Sequence, residues 1–206
     1  MRPASLRSKD SRVQQGMTWQ PRVTGHEGRK TGLQPWPHFR IPNPQRRVVR
    51  HPGSLTRLLR SLCREQFRVE VLTEHMGRAT VDEALALDLD PRARVWIREV
   101  CLRGDDRPWV RARTVIPLAS LRGRSRALRR LGSRPLGSAL FGRHPWRRRR
   151  FIFGVMPDGE LARRSLFCRG PHRLLVTEVF LPTLWRDVLP LKKAYNTIRM
   201  DAVRPL

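Results

Sequence analysis

Apolar and polar positions alternate along the chain from residue 67 onward as they do in half-buried β-strands. Phe67, Val69 and Val71 alternate with Arg68 and Glu70, the period of two that separates the two faces of a strand. Five further runs have strand character, at about 94–103, 108–116, 151–155, 163–169 and 174–181. Turn sequences separate neighbouring runs, namely Gly104-Asp-Asp-Arg107, Asp158-Gly159 and Gly170-Pro-His172. The pattern predicts about six strands joined as sequential hairpins.

Helical periods interrupt this strand pattern. Ser54 is a good N-cap, and four leucines fall on one face of a helix predicted over 53–63. Shorter helical segments are predicted at 82–87, 118–131 and 136–141, and the last follows a proline, which suits a helix start. The stretch 36–44 contains three prolines and is predicted to be extended. Together the elements predict an α+β fold, a single antiparallel sheet with helices packed on it.

Composition divides the chain into three parts. Residues 1–33 are rich in Arg, Ser, Gly and Gln, lack apolar periodicity and are predicted to be a disordered basic extension, or the product of a start assigned upstream of Met17. Residues 34–185 contain every predicted strand and are expected to form one domain. Residues 186–206 are a C-terminal extension to which the sequence assigns no function.

Basic residues dominate the charge balance. There are 43 Lys and Arg against 17 Asp and Glu, a formal net charge of +26, and only four of the basic residues are lysines. A nucleic-acid-binding module would also be strongly basic, since neutralised phosphates supply most non-specific affinity. The arginines are nevertheless spread over the whole chain, with no zinc-finger spacing and no aromatic stacking series. We therefore expect no specific nucleic-acid partner.

Three cysteines, Cys63, Cys101 and Cys168, are far apart and odd in number. Without a CxxC pair or a Cys/His cluster, they favour neither a disulfide framework nor a metal site, and a reducing compartment suits them. No apolar run approaches the 18 residues of a membrane span, and the N-terminus lacks the apolar core of a secretory signal. These features predict a cytoplasmic protein.

Two strands each carry one charged side chain on an otherwise apolar face. Glu178 lies in the run 174–182 and shares its face with Leu174, Val176 and Phe180; Arg98 shares its face with Trp96, Val100 and Leu102. An unpaired charge on such a face is costly. One interpretation is a buried ion pair between Arg98 and Glu178. The other is a closed pocket, in which Arg98 holds an anion and Glu178 meets a polar group at the ligand's far side.

Five motifs identify a family that the chain resembles over about 36–185. They are Arg94-Val-Trp-Ile-Arg-Glu-Val, Pro108-Trp-Val-Arg-Ala-Arg-Thr-Val-Ile-Pro117, Leu131-Gly-Ser-Arg-Pro-Leu-Gly137, Arg163-Arg-Ser165 and Thr177-Glu-Val-Phe-Leu-Pro182. Their order and spacing resemble those of chorismate lyase. The resemblance implies a carbon–oxygen lyase that needs no cofactor or metal. Such an enzyme eliminates pyruvate from chorismate to give 4-hydroxybenzoate, the first step of bacterial ubiquinone synthesis.

The resemblance also implies roles for individual residues. Arg98 matches the arginine that grips the ring carboxylate, a group to which a planar guanidinium can bind in a bidentate manner. Glu178 matches the glutamate that meets the ring hydroxyl, where it either transfers a proton or only orients the ring. Leu136 and Leu55 match positions whose main-chain amides contact the substrate, although Leu55 stands where the best-known member has methionine. Arg113 matches an arginine lining the buried cavity. On the residues alone, the two leucines also fit an ordinary core and Arg113 fits a solvated strand position. Two helical flaps, here 53–63 and 118–141, are expected to cover the pocket. The implied enzyme is a monomer that holds its aromatic product tightly, so that product release limits turnover.

A non-catalytic ligand sensor is the main alternative. The effector-binding domain of one group of bacterial transcription regulators resembles the lyase in fold, so a buried arginine and a hairpin sheet do not separate the two. Such regulators carry a winged-helix domain ahead of the effector domain. The polar, proline-broken stretch before Gly53 is not expected to form one.

Overall fold

Six antiparallel strands form one sheet in the protein. The computed structural model describes residues 43–142, 145–156 and 159–190. The strands are β1 (Phe67–Arg78), β2 (Arg94–Gly104), β3 (Arg107–Pro117), β4 (Arg147–Val155), β5 (Leu161–Arg169) and β6 (His172–Phe180). Their order across the sheet is β1-β2-β3-β6-β5-β4. The predicted α+β fold with a six-stranded antiparallel sheet is confirmed.

Five short α-helices accompany the sheet. They are α1 (Asn43–Val49), α2 (Leu55–Leu62), α3 (Val81–Leu87), α4 (Leu136–Leu140) and α5 (Pro182–Val188). Neither α1 nor α5 was predicted from the sequence. Each has a proline in its first turn, Pro44 in α1 and Pro182 in α5, where a missing backbone N–H does no harm. Proline therefore starts these helices, although it suggested extended chain at 36–44.

The predicted helical segment 118–131 is divided into two 3₁₀ helices, Leu118–Leu121 and Gly123–Arg130. Arg122, between them, is extended, and Gly123 has a φ of +55°. Left-handed backbone cannot continue a right-handed helix, so the segment turns at this glycine. Of the four leucines of the predicted helical period, Leu121, Leu128 and Leu131 are buried, whereas Leu118 is 40% exposed. The prediction of a single helix over this segment was therefore wrong.

The two faces of the sheet carry separate cores. On one face α1, α2 and α5 pack against β1, β2, β3 and β6, through buried residues that include Val49, Leu58, Val100 and Leu184. On the other face α3 contributes Leu87 to a smaller cluster with strand residues 95, 97, 115 and 175. The four leucines of α2 are buried, and Ser54 caps the helix by accepting a hydrogen bond from the Arg57 N–H.

The turn between β2 and β3 has two residues, Asp105 and Asp106, both with positive φ (50° and 60°). The Asp105 carboxylate accepts hydrogen bonds from the Cys63 thiol and from the backbone N–H groups of residues 64–66. Burial opposes ionisation of Asp105, but these donors lower its pKa to about 2. The turn therefore fixes the chain between α2 and β1, and it occupies the Cys63 thiol, whose pKa is raised by burial and by Asp105.

The predicted extension 1–33 and most of 186–206 lie outside the described residues, and the division of the chain into three parts stays a prediction. Among the helices that the structure describes, none combines the length and apolar character that crossing a membrane requires.

Replacing Asp105 by alanine is expected to destabilise the protein by about 1–3 kcal/mol more than replacing Asp106 does, because four donors lose their acceptor. Both residues have positive φ, so the backbone penalty of alanine is shared and cancels in the comparison. Urea unfolding of Asp105→Ala and Asp106→Ala measures the difference. Equal losses for the two variants would contradict the role assigned to the carboxylate.

Candidate active site

A small cavity lies between one face of the sheet and the N-terminal ends of α2 and α4. Its walls come from strands β1 to β6 and are mostly apolar. Among the described residues that line it, the charged ones are three arginines and one glutamate: Arg98, Arg148, Arg163 and Glu178. The cavity therefore carries an excess of positive charge, which suits an anionic ligand.

The sheet register places Arg98 and Glu178 on the same face. Arg98 lies opposite Thr114 of β3, and Glu178 lies opposite Ala112 of that strand. With strands about 4.8 Å apart and about 3.3 Å per residue, the two Cα atoms are separated by roughly 12 Å. Each side chain forms its ion pair with another residue, so the predicted alternative of an Arg98–Glu178 ion pair is not what the structure contains.

Arg98 is buried, with 2% of its side chain exposed, and is held from three sides. Its Nε donates to Glu74 on β1 at 2.8 Å, and its Nη2 donates to the carbonyls of Gly132 and Arg134 at 2.6 and 3.3 Å. Burial lowers the Arg98 pKa, and Glu74 opposes that shift. In the described part of the chain Nη1 makes no hydrogen bond, so Arg98 offers a ligand this one nitrogen. The predicted bidentate grip on a carboxylate would require Nη2 or Nε to exchange partners.

Glu178 is paired with Arg163, its cross-strand neighbour on β5, through an Nε–Oε2 contact of 2.5 Å. Arg163 is only 1% exposed, and its Nη1 also donates to the carbonyls of Val49 and His51. The strand and the segment after α1 thus fix the arginine, and the arginine fixes Glu178. The second carboxylate oxygen, Oε1, remains to accept a hydrogen bond from a ligand.

Leu55 and Leu136 are each the first residue of a helix whose N-terminus borders the cavity, α2 and α4 respectively. The first N–H groups of a helix have no acceptor within it. The two N-termini meet closely, because a Cβ added at Gly137 would lie 2.8 Å from the Ser54 hydroxyl. The predicted amide contacts at Leu55 and Leu136 stay predictions, but both residues lie where a main-chain donor can reach the cavity.

Arg113 does not line the cavity, and its predicted place there is corrected. On β3 the side chains of Ala112 and Thr114 line the cavity, so the residue between them points to the opposite face. There Arg113 donates to Glu83 on α3 at 2.8 and 3.2 Å and to Glu99 on β2 at 2.7 Å. Burial opposes its charge, yet these two carboxylates raise the Arg113 pKa. Its role in the structure is to join α3 to the sheet.

Two lining arginines, Arg148 and Arg163, were missed as site residues by the sequence analysis. Arg163 could have been found from the sequence. The tight turn at Gly170-Pro171 pairs Arg169 with His172, and the register that this turn sets brings Arg163 opposite Glu178. Arg148 could not, because a register shift in β4 between Arg148 and Arg150 changes which side chain faces the cavity.

The free volume of the cavity is about 50 Å³, whereas a cavity that takes up benzene has about 150 Å³. The cavity is therefore too small for a ring-sized ligand in this form, and α2 and α4, which we call the lid, border its free volume. Fold and site together define the class, an α+β protein with a small, positively charged cavity between one face of its sheet and the N-termini of two helices.

Comparison with known proteins agrees with this class. The chorismate lyase family model matches residues 42–189. A probable chorismate pyruvate-lyase of Marinobacter nauticus is 46% identical over 152 residues, covering 71% of this chain and 81% of that protein. A probable chorismate pyruvate-lyase of Pseudomonas aeruginosa is 43% identical over 143 residues, covering 65% and 80%. The chain belongs to the chorismate lyase family.

Solved structures with a similar fold include effector domains of transcription regulators. The ligand-binding domain of a putative GntR-family regulator from Bordetella bronchiseptica matches 58% of this chain and 86% of that one, with 18% identity and a TM-score of 0.43. The effector domain of PhnF from Mycobacterium smegmatis matches 57% and 82%, with 16% identity and a TM-score of 0.45.

Replacing Arg113 by methionine is expected to lower the free energy of unfolding by about 3–5 kcal/mol, because Glu83 and Glu99 lose their shared buried cation. The matched control is Arg68→Met, which removes an ion pair to Asp106 whose side chains are 50% and 74% exposed. Such an exposed pair contributes at most about 1 kcal/mol. Urea unfolding measures both variants, and similar small losses would show that the Arg113 cluster is not structural.

Proposed function

We propose that this chain cleaves chorismate into 4-hydroxybenzoate and pyruvate, the reaction for which its relatives are named. The observation that carries the proposal is the placement of Arg98 and Glu178 on one face of the sheet. Arg98 is held by Glu74 and Glu178 by Arg163, so the two do not pair with each other. Chorismate has matching polar groups at opposite ends of its ring, a carboxylate and a hydroxyl.

The reaction breaks the bond between a ring carbon and the enolpyruvyl oxygen. A proton leaves the ring carbon that bears the hydroxyl, the ring becomes aromatic, and the released enolpyruvate takes up a proton to become pyruvate. Aromatisation drives the reaction forward, so the protein has mainly to bind, orient and desolvate its substrate. A mostly apolar cavity with a few placed charges meets that demand.

In the proposed complex Arg98 holds the ring carboxylate. Its free Nη1 and the N–H of Leu136 at the start of α4 supply two donors from different elements, and the α4 N-terminus favours the negative charge. Oε1 of Glu178 accepts a hydrogen bond from the ring hydroxyl, while Arg163 keeps the carboxylate in place. The ring is then held at both ends.

We further propose that the active unit is a single chain in the cytoplasm that supplies ubiquinone synthesis. The sequence has three widely separated cysteines and no CxxC pair, which suits a reducing compartment. Light scattering measures the molar mass of the active fraction and so tests whether the active form is a monomer.

Purified protein mixed with chorismate alone is expected to release pyruvate and 4-hydroxybenzoate in equal amounts, followed by coupled pyruvate detection and by ultraviolet absorbance. Arg98→Ala should lower kcat/KM by about 100-fold or more, because a buried charge-assisted contact is lost. Glu178→Gln should lower kcat while the protein still unfolds cooperatively in urea. Binding of chorismate without any pyruvate release would instead favour the ligand-sensor alternative.

Product release is expected to limit turnover, because the lid must open before the aromatic acid can leave. The dissociation constant of 4-hydroxybenzoate, measured by quenching of tryptophan fluorescence, should then lie below the KM for chorismate. Slow product release should also give a pre-steady-state burst of pyruvate. The absence of a burst, or a product constant above KM, would show that a chemical step limits turnover.

A further inference from the structure

Arg148 is a lining residue whose charge the fold leaves only partly satisfied. Its Nη1 donates to the Pro52 carbonyl, and its Nε is buried without a hydrogen-bond partner. Its guanidinium lies over two aromatic rings, 4.5 Å from the centre of Phe151 and 5.1 Å from that of Phe167. The side chain as a whole is half-buried, and a buried N–H without an acceptor is costly unless a ligand supplies one.

A β-bulge directs Arg148 into the cavity. On β5 the side chains of residues 163 and 167 line the cavity, and regular pairing of Phe151 with Ser165 would bring Arg149 opposite Phe167. The register shift between Arg148 and Arg150 brings Arg148 there instead, and Arg149 is exposed. Bulges often re-aim a side chain beside a binding site.

The other charged groups of the cavity already have partners. Arg98 is paired with Glu74, and Glu178, the lining carboxylate, is paired with Arg163. Counting these four groups together with Arg148 leaves one positive charge in excess, because Arg148 and Arg163 share the single carboxylate of Glu178. Burial and the nearby charge of Arg163 lower the Arg148 pKa to about 10, although Glu178 opposes that shift, so Arg148 remains a cation at neutral pH.

The position of Arg148 also matches the shape of the proposed substrate. Arg148 and Arg163 lie over the same Phe151 ring, at 4.5 and 5.3 Å, and Arg163 holds Glu178. Arg148 is therefore at the Glu178 end of the cavity. In chorismate the enolpyruvyl ether is attached to the ring carbon next to the one that bears the hydroxyl. A hydroxyl at Glu178 thus brings the second carboxylate, that of the enolpyruvyl group, toward Arg148.

We infer that Arg148 binds the enolpyruvyl carboxylate of chorismate and thereby distinguishes the dianionic substrate from the monoanionic aromatic product. The inference rests on the proposed function. Its consequence is asymmetric: Arg98 contributes to binding of substrate and product alike, whereas Arg148 contributes to binding of the substrate alone. Once pyruvate has left, the aromatic acid has no group for Arg148 to hold.

The test compares Arg148→Gln with wild type for two ligands. The kcat/KM for chorismate should fall by about 10- to 100-fold, the range expected for a lost hydrogen bond to a charged group. The inhibition constant of 4-hydroxybenzoate should stay within about twofold. Arg148→Lys, which keeps the charge and a long side chain, should recover part of the lost kcat/KM. If Arg148→Gln does not fold, the lysine variant is compared with wild type in its place. Arg149→Gln, which removes the exposed neighbour, should leave both constants unchanged.

Arg148 also contacts the segment before α2 through the Pro52 carbonyl, and a purely structural role there predicts a different result. If Arg148 served only to hold the lid, its replacement would weaken the binding of chorismate and of 4-hydroxybenzoate by similar factors. That outcome would overturn the inference. If wild-type protein releases no pyruvate from chorismate, the proposed function itself fails. The two failures are therefore distinguishable in one set of measurements.

Discussion

The pairing of buried guanidinium groups with fixed acceptors is the interaction on which the site depends. A buried arginine is tolerated only when its donors are satisfied, and Arg98 and Arg163 obtain their acceptors from the sheet and from carbonyls of adjoining segments. These acceptors come from elements far apart in sequence, so the side chains are placed only when the whole domain has folded. Rigid positioning of the two ends of a ligand follows from this requirement.

Because side chains alternate along a strand, neighbouring residues lie on opposite faces of the sheet. Even-numbered residues of β2, β3 and β6 face the cavity, whereas odd-numbered residues such as Glu99 and Arg113 face α3. Charged residues are buried on both faces. On the α3 face Arg113 is paired with Glu83 and Glu99, and on the cavity face Arg98 is paired with Glu74 and Arg163 with Glu178. The cavity face differs because its charged residues also border free volume.

The lid borders the cavity and is attached to the sheet. Its helices begin at the cavity, and the two N-termini meet where Gly137 approaches Ser54. The leucines of α2 are buried in the main core, so this lid helix is anchored on the sheet. The free volume beside the lid, about 50 Å³, is smaller than that of a cavity that takes up benzene, about 150 Å³, so the proposed function requires the lid to open before the substrate enters.

The sequence by itself determined the sheet, the hairpins and the candidate residues Arg98 and Glu178, because period-two patterning and turn chemistry are local and directly readable. It also misled at Arg113, since a motif does not state which face a strand residue occupies. Only the tertiary structure decided which charges are partners. Glu178 pairs with Arg163 and Arg98 with Glu74 because strand register brings them together, and a single extra residue in β4 selects Arg148 over Arg149. A one-residue change of register reverses the face of a side chain, so these contacts belong to the folded sheet and not to the local sequence.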